Sequence, residues 1–228
     1  MPPQPELRIV NDPAATVGEL LADQAKQGGS VVLTGGSTPG VAYERAAERA
    51  RDWSGVDLWW GDERCVPPDD DRSNYKLAKE TLLDRIDAPP RSVHRIRGEL
   101  PPAEAAGELD RELEDVELHL LLLGLGPDGH VASLFPGSPQ LGVEDRRATS
   151  GPPGLEPFVD RVTMTLPVLR SAYRIVFLVT GDEKADAVAK AFGGDITEEV
   201  PASLVRLAPV AIEVFLDQAA ASKLEEAR

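Results

Sequence analysis

The sequence predicts an α/β fold: a mostly parallel, doubly wound sheet with helices on both faces. Three observations lead there. Short apolar runs alternate with amphipathic segments along the whole chain. One run, VELHLLLLGL (116–125), is apolar enough for a central strand covered on both sides. No self-similar period of roughly 20–50 residues is present, which excludes a solenoid. LRIV (7–10) reads as the first strand, and 13–27 as a helix opened by Asp12-Pro13, a cap followed by proline in the first turn. The β-branched run SVVLTGG (30–36) is a strand broken by two glycines, after which Pro39 opens a helix to about residue 51. VDLWW (56–60) is a strand, and SNYKLAKETLLD (73–84) a helix capped by Ser73 or Asn74. SVHRI (92–96) is a short strand and 102–114 a helix, followed by the central strand 116–125. Beyond a long connection come strands at 161–165 and 173–180, a helix at 182–192, a strand at 210–216 and a final helix.

The chain of 228 residues is long enough for a sizeable core, and 1–228 is expected to form a single α/β domain. At 42% hydrophobic and 28% charged residues, the composition is that of a soluble globular protein. A net charge of −15 and the lack of a basic stripe argue against nucleic-acid binding. The same charge means that an anionic ligand needs a local positive pocket. The single cysteine, Cys65, excludes an internal disulfide and fits a reducing compartment. MPPQPELRIVNDP has neither a basic n-region nor an apolar h-region, and no apolar run reaches the roughly 20 residues of a membrane span. A cytoplasmic protein without membrane or nucleic-acid partners is expected.

In such sheets ligands bind at the carboxyl ends of the strands, so the loops after Leu33, Trp60, Leu125 and Thr180 are the places to search. GLGPDG (124–129) matches the glycine pattern of a dinucleotide turn. Its context does not: Pro136 and Pro139 stop any helix within two turns, and Glu144 and Asp145, at the required distance, lie in no strand. What remains is His130 on a glycine-rich turn with Asp128 two residues before it, an imidazole and a carboxylate suited to general acid–base work. The bland alternative is a solvated loop histidine. His119, inside the apolar strand, reads as a satisfied core residue. The three histidines and one cysteine give no metal-ligand spacing.

TGGSTPG (34–40) joins a strand to a proline-started helix, so Gly35, Gly36, Ser37 and Thr38 form a nest of N–H groups suited to phosphate, or else an ordinary capped turn. It lacks the G-K-[ST] ending of a Walker loop. Asp62, Glu63 and Arg64 follow a strand, where Arg64 suits a phosphate or a developing oxyanion; a surface ion-pair cluster is the alternative. Lys184 sits in the first turn of a helix, against the dipole, which favours a role with an anionic ligand. The Gly/Pro-rich segment 136–157 reads as a surface connection or as a flap over a site.

Taken in order, TGGSTPG, WGDERCVPPDDDRSNY, LLLGLGPDGHVASLFPGSP, RVTMTLPVL and VTGDEK resemble the 6-phosphogluconolactonase branch of the glucosamine-6-phosphate isomerase/6-phosphogluconolactonase family, over most of the chain. The resemblance implies a fold like that of glucosamine-6-phosphate deaminase and ribose-5-phosphate isomerase. It implies hydrolysis of the δ-lactone of 6-phosphogluconate, with no metal and no redox cofactor. The deaminases continue the Asp-Gly-His turn as GHIAFNEP, with a glutamate that relays protons with the histidine; here Phe135 holds that position. By this resemblance His130 is the base, oriented by Asp128 or Asp62, while Gly35, Gly36, Ser37, Thr38, Arg64, Lys184 and Arg161 face the substrate. Which of Arg64 and Lys184 holds phosphate and which the oxyanion stays open, as does an ion-pair role for Arg161. A monomer is expected, a weak homodimer being the alternative. An isomerase or deaminase on the same fold, or a non-catalytic sugar-phosphate binder, are the competing functions.

Overall fold

The computed structural model describes residues 3–224. Ten strands occur in that range: β1 (Glu6–Ile9), β2 (Gly29–Leu33), β3 (Val56–Trp60), β4 (Asp62–Arg64), β5 (Ser92–His94), β6 (Leu120–Leu123), β7 (Ala148–Gly151), β8 (Arg161–Met164), β9 (Ile175–Val179) and β10 (Ile212–Leu216). Seven of them make one parallel sheet in the order β1-β10-β9-β6-β2-β3-β5, and β4-β8-β7 make a small antiparallel sheet. The principal helices are α1 (Pro13–Gln27), α2 (Ser37–Arg49), α3 (Asn74–Thr81) and α4 (Pro102–Glu112).

Local chemistry sets the boundaries. Asp12 Oδ1 accepts from the Ala15 amide at 2.9 Å and so caps α1, with Pro13 in the first turn. Ser73 Oγ does the same for α3 through the Lys76 amide. Helix α2 starts two residues before Pro39, with Gly36 at the cap and no side-chain cap bond; Ser37 and Thr38 are its first helical residues. All four leucines of β6 are buried, as are the five residues of β9, which is what central parallel strands require.

The order of strands decides where a ligand can sit. From β2 the chain moves through α2 to β3 and then β5, filling one edge; from β6 it moves to β9 and β10, filling the other. Strands β2 and β6 are neighbours, so their outgoing loops diverge and open a crevice at their carboxyl ends. Right-handed crossovers put α1–α3 on one face of the sheet and α4 on the other.

Several elements differ from expectation. RVTM (161–164) leaves the main sheet and pairs with β4 and β7 instead. The central strand is shorter than 116–125 because His119 Nδ1 accepts from the Ser30 amide, so the side chain replaces a ladder contact at the strand's start. The helix at 182–192 becomes a 3₁₀ turn (Asp182–Lys184), a short α-helix (Ala185–Val188) and a π turn (Ala189–Gly193). The wider turn seats Phe192 edge-on against Phe177, with ring centroids 5.1 Å apart. Segment 136–157 is not structureless: it holds a 3₁₀ turn at Pro139–Gly142 and β7. Residues 218–223 form turns, and the rest of the expected last helix lies outside the described residues. No helix in the described range is long and apolar enough to cross a membrane.

Leu121, wholly buried in β6 between β2 and β9, tests this account of the core. Leu121→Ala is expected to lose about 2–5 kcal/mol of stability. A denaturant titration should show a lower midpoint with an unchanged slope.

Candidate active site

A cleft of about 990 Å³ opens at the crevice between β2 and β6. Gly35, Gly36, Ser37 and Thr38 line it, as do Asp62, Arg64, His130, Arg161 and Lys184. Asp128 stands behind His130 rather than in the wall.

His130 ends a tight turn that follows β6. The Gly126 amide donates to the His130 carbonyl at 2.9 Å, and the Gly129 amide to the Gly126 carbonyl at 3.0 Å. Gly129 takes a φ of 87°, and a Cβ there would press on Val200 Cγ1 at 2.8 Å. A Cβ on Gly126 would overlap the imidazole itself. The glycines therefore serve backbone closeness around a side chain, not around a pyrophosphate. His130 Nδ1 lies 2.5 Å from Asp128 Oδ1, which also accepts from the His130 amide at 3.1 Å. Burial raises the Asp128 carboxyl, but the hydrogen bond and charge of His130 outweigh it and hold the group below its ordinary value. The buried Phe135 ring lies 4.6 Å from the imidazole, centroid to centroid, and forms an apolar wall.

The nest after β2 is held by Tyr43, fully buried, whose hydroxyl accepts from the Thr34 amide and donates to the Thr34 carbonyl. The amides of Ser37 and Thr38 lie in the first turn of α2, where intrahelical acceptors are missing. Thr38 Oγ1 and Thr180 Oγ1 are 2.8 Å apart, which ties this helix start to the turn after β9 that carries Lys184. Burial lowers the Lys184 pKa, while Glu183 and then Asp128 pull it back up. No ion pair or hydrogen bond engages its ammonium among the described residues.

Asp62 and Glu63 are buried, so this triplet is no surface ion-pair cluster. Glu63 accepts from the amides of Arg64, Asn74 and Tyr75 and from Ser73 Oγ, anchoring the start of α3. Burial raises its carboxyl despite those backbone donors. Asp62 Oδ2 accepts from Ser133 Oγ at 2.6 Å, and its Oδ1 and carbonyl oxygen accept from Asn74 Nδ2 at 3.3 and 2.9 Å. Of the two carboxylates expected to orient the imidazole, Asp128 makes the contact.

Arg64 and Arg161 face each other across the β4–β8 pair, a like-charge arrangement that disfavours the sheet unless an anion joins it. Arg161 is 4% exposed and forms no ion pair. Its Nη2 donates to the carbonyls of Pro157 (2.9 Å) and Leu155 (3.3 Å), while Nε and Nη1 are buried without a partner. Burial first, and then Arg64, lowers its pKa. Arg64 Nη1 donates to the Arg72 carbonyl at 2.7 Å. Three cations thus line one cleft with no ion pair among the described residues, although Asp62, Glu63, Glu183 and Asp128 act on them at longer range, whereas Arg51, Arg91 and Arg174 elsewhere are ion-paired. Among the described residues no three His, Cys, Asp or Glu side chains gather as a metal-ligand set.

The chain also matches a known family. The family model described as glucosamine-6-phosphate isomerases/6-phosphogluconolactonase matches residues 8–214. The chain belongs to this family. Among its members, a probable 6-phosphogluconolactonase 1 of Arabidopsis thaliana is 34% identical, covering 92% of this chain and 87% of that one. The crystal structure of a 6-phosphogluconolactonase from Thermotoga maritima superposes with a TM-score of 0.83 at 31% identity, covering 94% of this chain and 100% of the other. A glucosamine-6-phosphate deaminase structure superposes with a TM-score of 0.84 over 95% of this chain and 99% of its own, at 21% identity, a likeness of fold alone.

The structure adds residues that the sequence reading passed over. Asn74 and Ser133 line the cleft and contact Asp62. Asp217, from the loop after β10, accepts from the Gly181 amide and so shapes the Lys184 turn. Leu155, Glu156 and Phe158 wall the cleft from the far end of the Gly/Pro-rich connection. Asn74 had been visible only as a possible helix cap, and Ser133 had no signal of its own.

Gly126→Ala should keep the fold, since the added methyl meets the side chains of His130 and Asp128 rather than backbone, yet displace the imidazole. Displacement of about 1 Å can cost about 10²-fold in rate. Circular dichroism beside a kcat measurement would check this; wild-type kcat in the variant would show that the ring has room.

Proposed function

We propose that this chain hydrolyses 6-phospho-D-glucono-1,5-lactone to 6-phospho-D-gluconate, the second step of the oxidative pentose phosphate pathway, as a single α/β domain. The observation that carries the reading is a histidine–aspartate dyad facing a cleft that also holds Arg64, Arg161 and Lys184, none of them in an ion pair among the described residues. It agrees with family membership and with the relatives' names.

Because Nδ1 is taken by Asp128, the Nε2 lone pair of His130 is the free base. It takes a proton from a water that attacks the lactone carbonyl carbon. The tetrahedral intermediate then collapses: the bond to the ring oxygen breaks, and His130 returns the proton to that oxygen. Asp128 stabilises the imidazolium between the two steps. Arg64 stabilises the developing oxyanion. The nest of Gly35, Gly36, Ser37 and Thr38 takes the phosphate together with Lys184, to which the Thr38–Thr180 bond ties it, and Arg161 adds its positive charge at the cleft wall. An ester carbonyl is electrophilic already, so this route needs no metal or redox cofactor. One chain supplies all of these residues, which supports a monomeric unit of activity, with a weak homodimer as the alternative. Activity on a central phosphosugar and a lone half-buried cysteine support a cytoplasmic setting.

The deciding experiment is acid release from freshly generated 6-phosphoglucono-δ-lactone, corrected for spontaneous opening, beside ammonia release from glucosamine 6-phosphate. Lactone hydrolysis without ammonia is expected; the reverse would assign the chain to the deaminases. His130→Ala should lower kcat by about 10²–10⁴-fold with an unchanged melting temperature. Near-full turnover would remove His130 from the mechanism.

Lys184→Ala should chiefly raise KM for the phosphorylated lactone and leave the unphosphorylated one nearly untouched. Equal losses on both substrates would place Lys184 at the carbonyl.

A further inference from the structure

We infer that the buried Asp62 carboxylate is a bridge that holds the anion nest at a fixed spacing from His130, with Ser133 and Asn74 as its positioning residues. The inference rests on the reading above, in which the nest takes phosphate and His130 is the base.

Asp62 sits between two loops that belong to different strands. On one side Ser133 Oγ donates to Oδ2 at 2.6 Å; on the other Asn74 Nδ2 donates to Oδ1 and to the Asp62 carbonyl. All three residues are at most 7% exposed, and Asp62 forms no ion pair. A buried carboxylate with only neutral donors is a poor stabilising device, since a cation or an apolar side chain would serve better. Its use here is geometric.

The Ser133 end leads to the base. Ser133 lies in the turn closed by the Val131–Leu134 backbone pair, which begins directly after His130. Between them Ala132 has a φ of 49°, in the left-handed region that costs a residue with a side chain. Such strain persists only where neighbours over-determine the backbone. Ser133 does so twice, through its hydroxyl on Asp62 and its amide on Thr163 Oγ1 at 3.2 Å. The Asn74 end leads to the nest. Its amide group packs so closely on Gly35 that a Cβ there would overlap Oδ1. Asn74 is itself immobile: its N–H donates to Glu63, and its carbonyl accepts from Trp60 Nε1. The path from Gly35 through Asn74, Asp62 and Ser133 to His130 is therefore continuous and buried.

A lactone anchored by its phosphate reaches the base in attack geometry only if that span is correct. Breaking the bridge should leave nest and imidazole individually intact but mis-spaced. The test compares Ser133→Ala, Ser133→Thr and Asn74→Ala with wild type. It reads kcat on 6-phosphoglucono-δ-lactone, the inhibition constant of inorganic phosphate, which probes the nest alone, and the pH at which kcat/KM falls on the acid side. Expected for Ser133→Ala is a loss of about tenfold or more in kcat, with phosphate inhibition and the acid limb unchanged. Ser133→Thr, which keeps the hydroxyl, should restore most of the rate. Should Ser133→Ala not fold, Asn74→Ala cuts the bridge from the other end and carries the same kcat expectation. In the double variant the loss should fall short of the product of the two single losses, because both act through Asp62. Wild-type kcat in both single variants, or phosphate inhibition weakening in step with kcat, would overturn the bridge. Absence of phosphate inhibition in wild type would overturn the nest assignment, and the bridge with it; absence of lactone hydrolysis would overturn the functional reading instead.

Discussion

Two neighbouring parallel strands, β2 and β6, send the chain to opposite edges of the sheet, and the cleft follows from that divergence. Had both loops turned the same way, helices would cover the carboxyl ends and no crevice would remain. The reversal opens the space, and the loops of β3 and β9 on either side add Arg64 and Lys184 to it. The small antiparallel sheet then closes one wall, because β8 pairs with β4 directly after β3 and brings Arg161 opposite Arg64.

In the proposed reading, charge makes that space suited to an anion. A body with a net charge of −15 repels a dianionic phosphate at long range. On the outer surface many cations sit in local pairs such as Arg174–Glu213 and Arg91–Asp57. In the cleft Arg64, Arg161 and Lys184 form no ion pair among the described residues, and burial lowers the pKa of Arg161 and Lys184 despite nearby carboxylates. A ligand phosphate relieves a cost that the fold already carries, so the attraction is short-ranged and confined to one place.

Much of this was legible in the sequence, and for identifiable reasons. Alternating apolar runs and caps such as Asp12-Pro13 and Ser73 encode local structure directly, and loops at strand ends mark where ligands bind. The GPDGH turn could be separated from a dinucleotide turn because Pro136 forbids the helix that the latter needs. What stayed hidden depends on partners distant in sequence. Nothing local says that RVTM joins a second sheet, that Glu63 caps a helix ten residues on, or that Ser133 reaches Asp62 across 71 positions. The choice between Asp128 and Asp62 as partner of His130 was likewise undecidable from spacing, since either could approach; the tight 126–130 turn decides it by holding Asp128 against Nδ1.

By the resemblance, Phe135 stands where the deaminases carry a second acid. A deaminase must shuttle protons between several positions of an opened sugar, which calls for a second acid beside the histidine. Lactone hydrolysis moves one proton from water to the ring oxygen, and a single imidazole performs both halves. Phe135 suits the second task. Its ring flanks the imidazole at 4.6 Å, and Gly154 packs so closely behind it that a Cβ there would overlap the ring, so that side of the histidine is an apolar wall. An acid placed there would be desolvated and would favour protonation of His130, removing the base at neutral pH. In the proposed mechanism the apolar wall therefore leaves Nε2 to water, while Asp128 holds the opposite nitrogen.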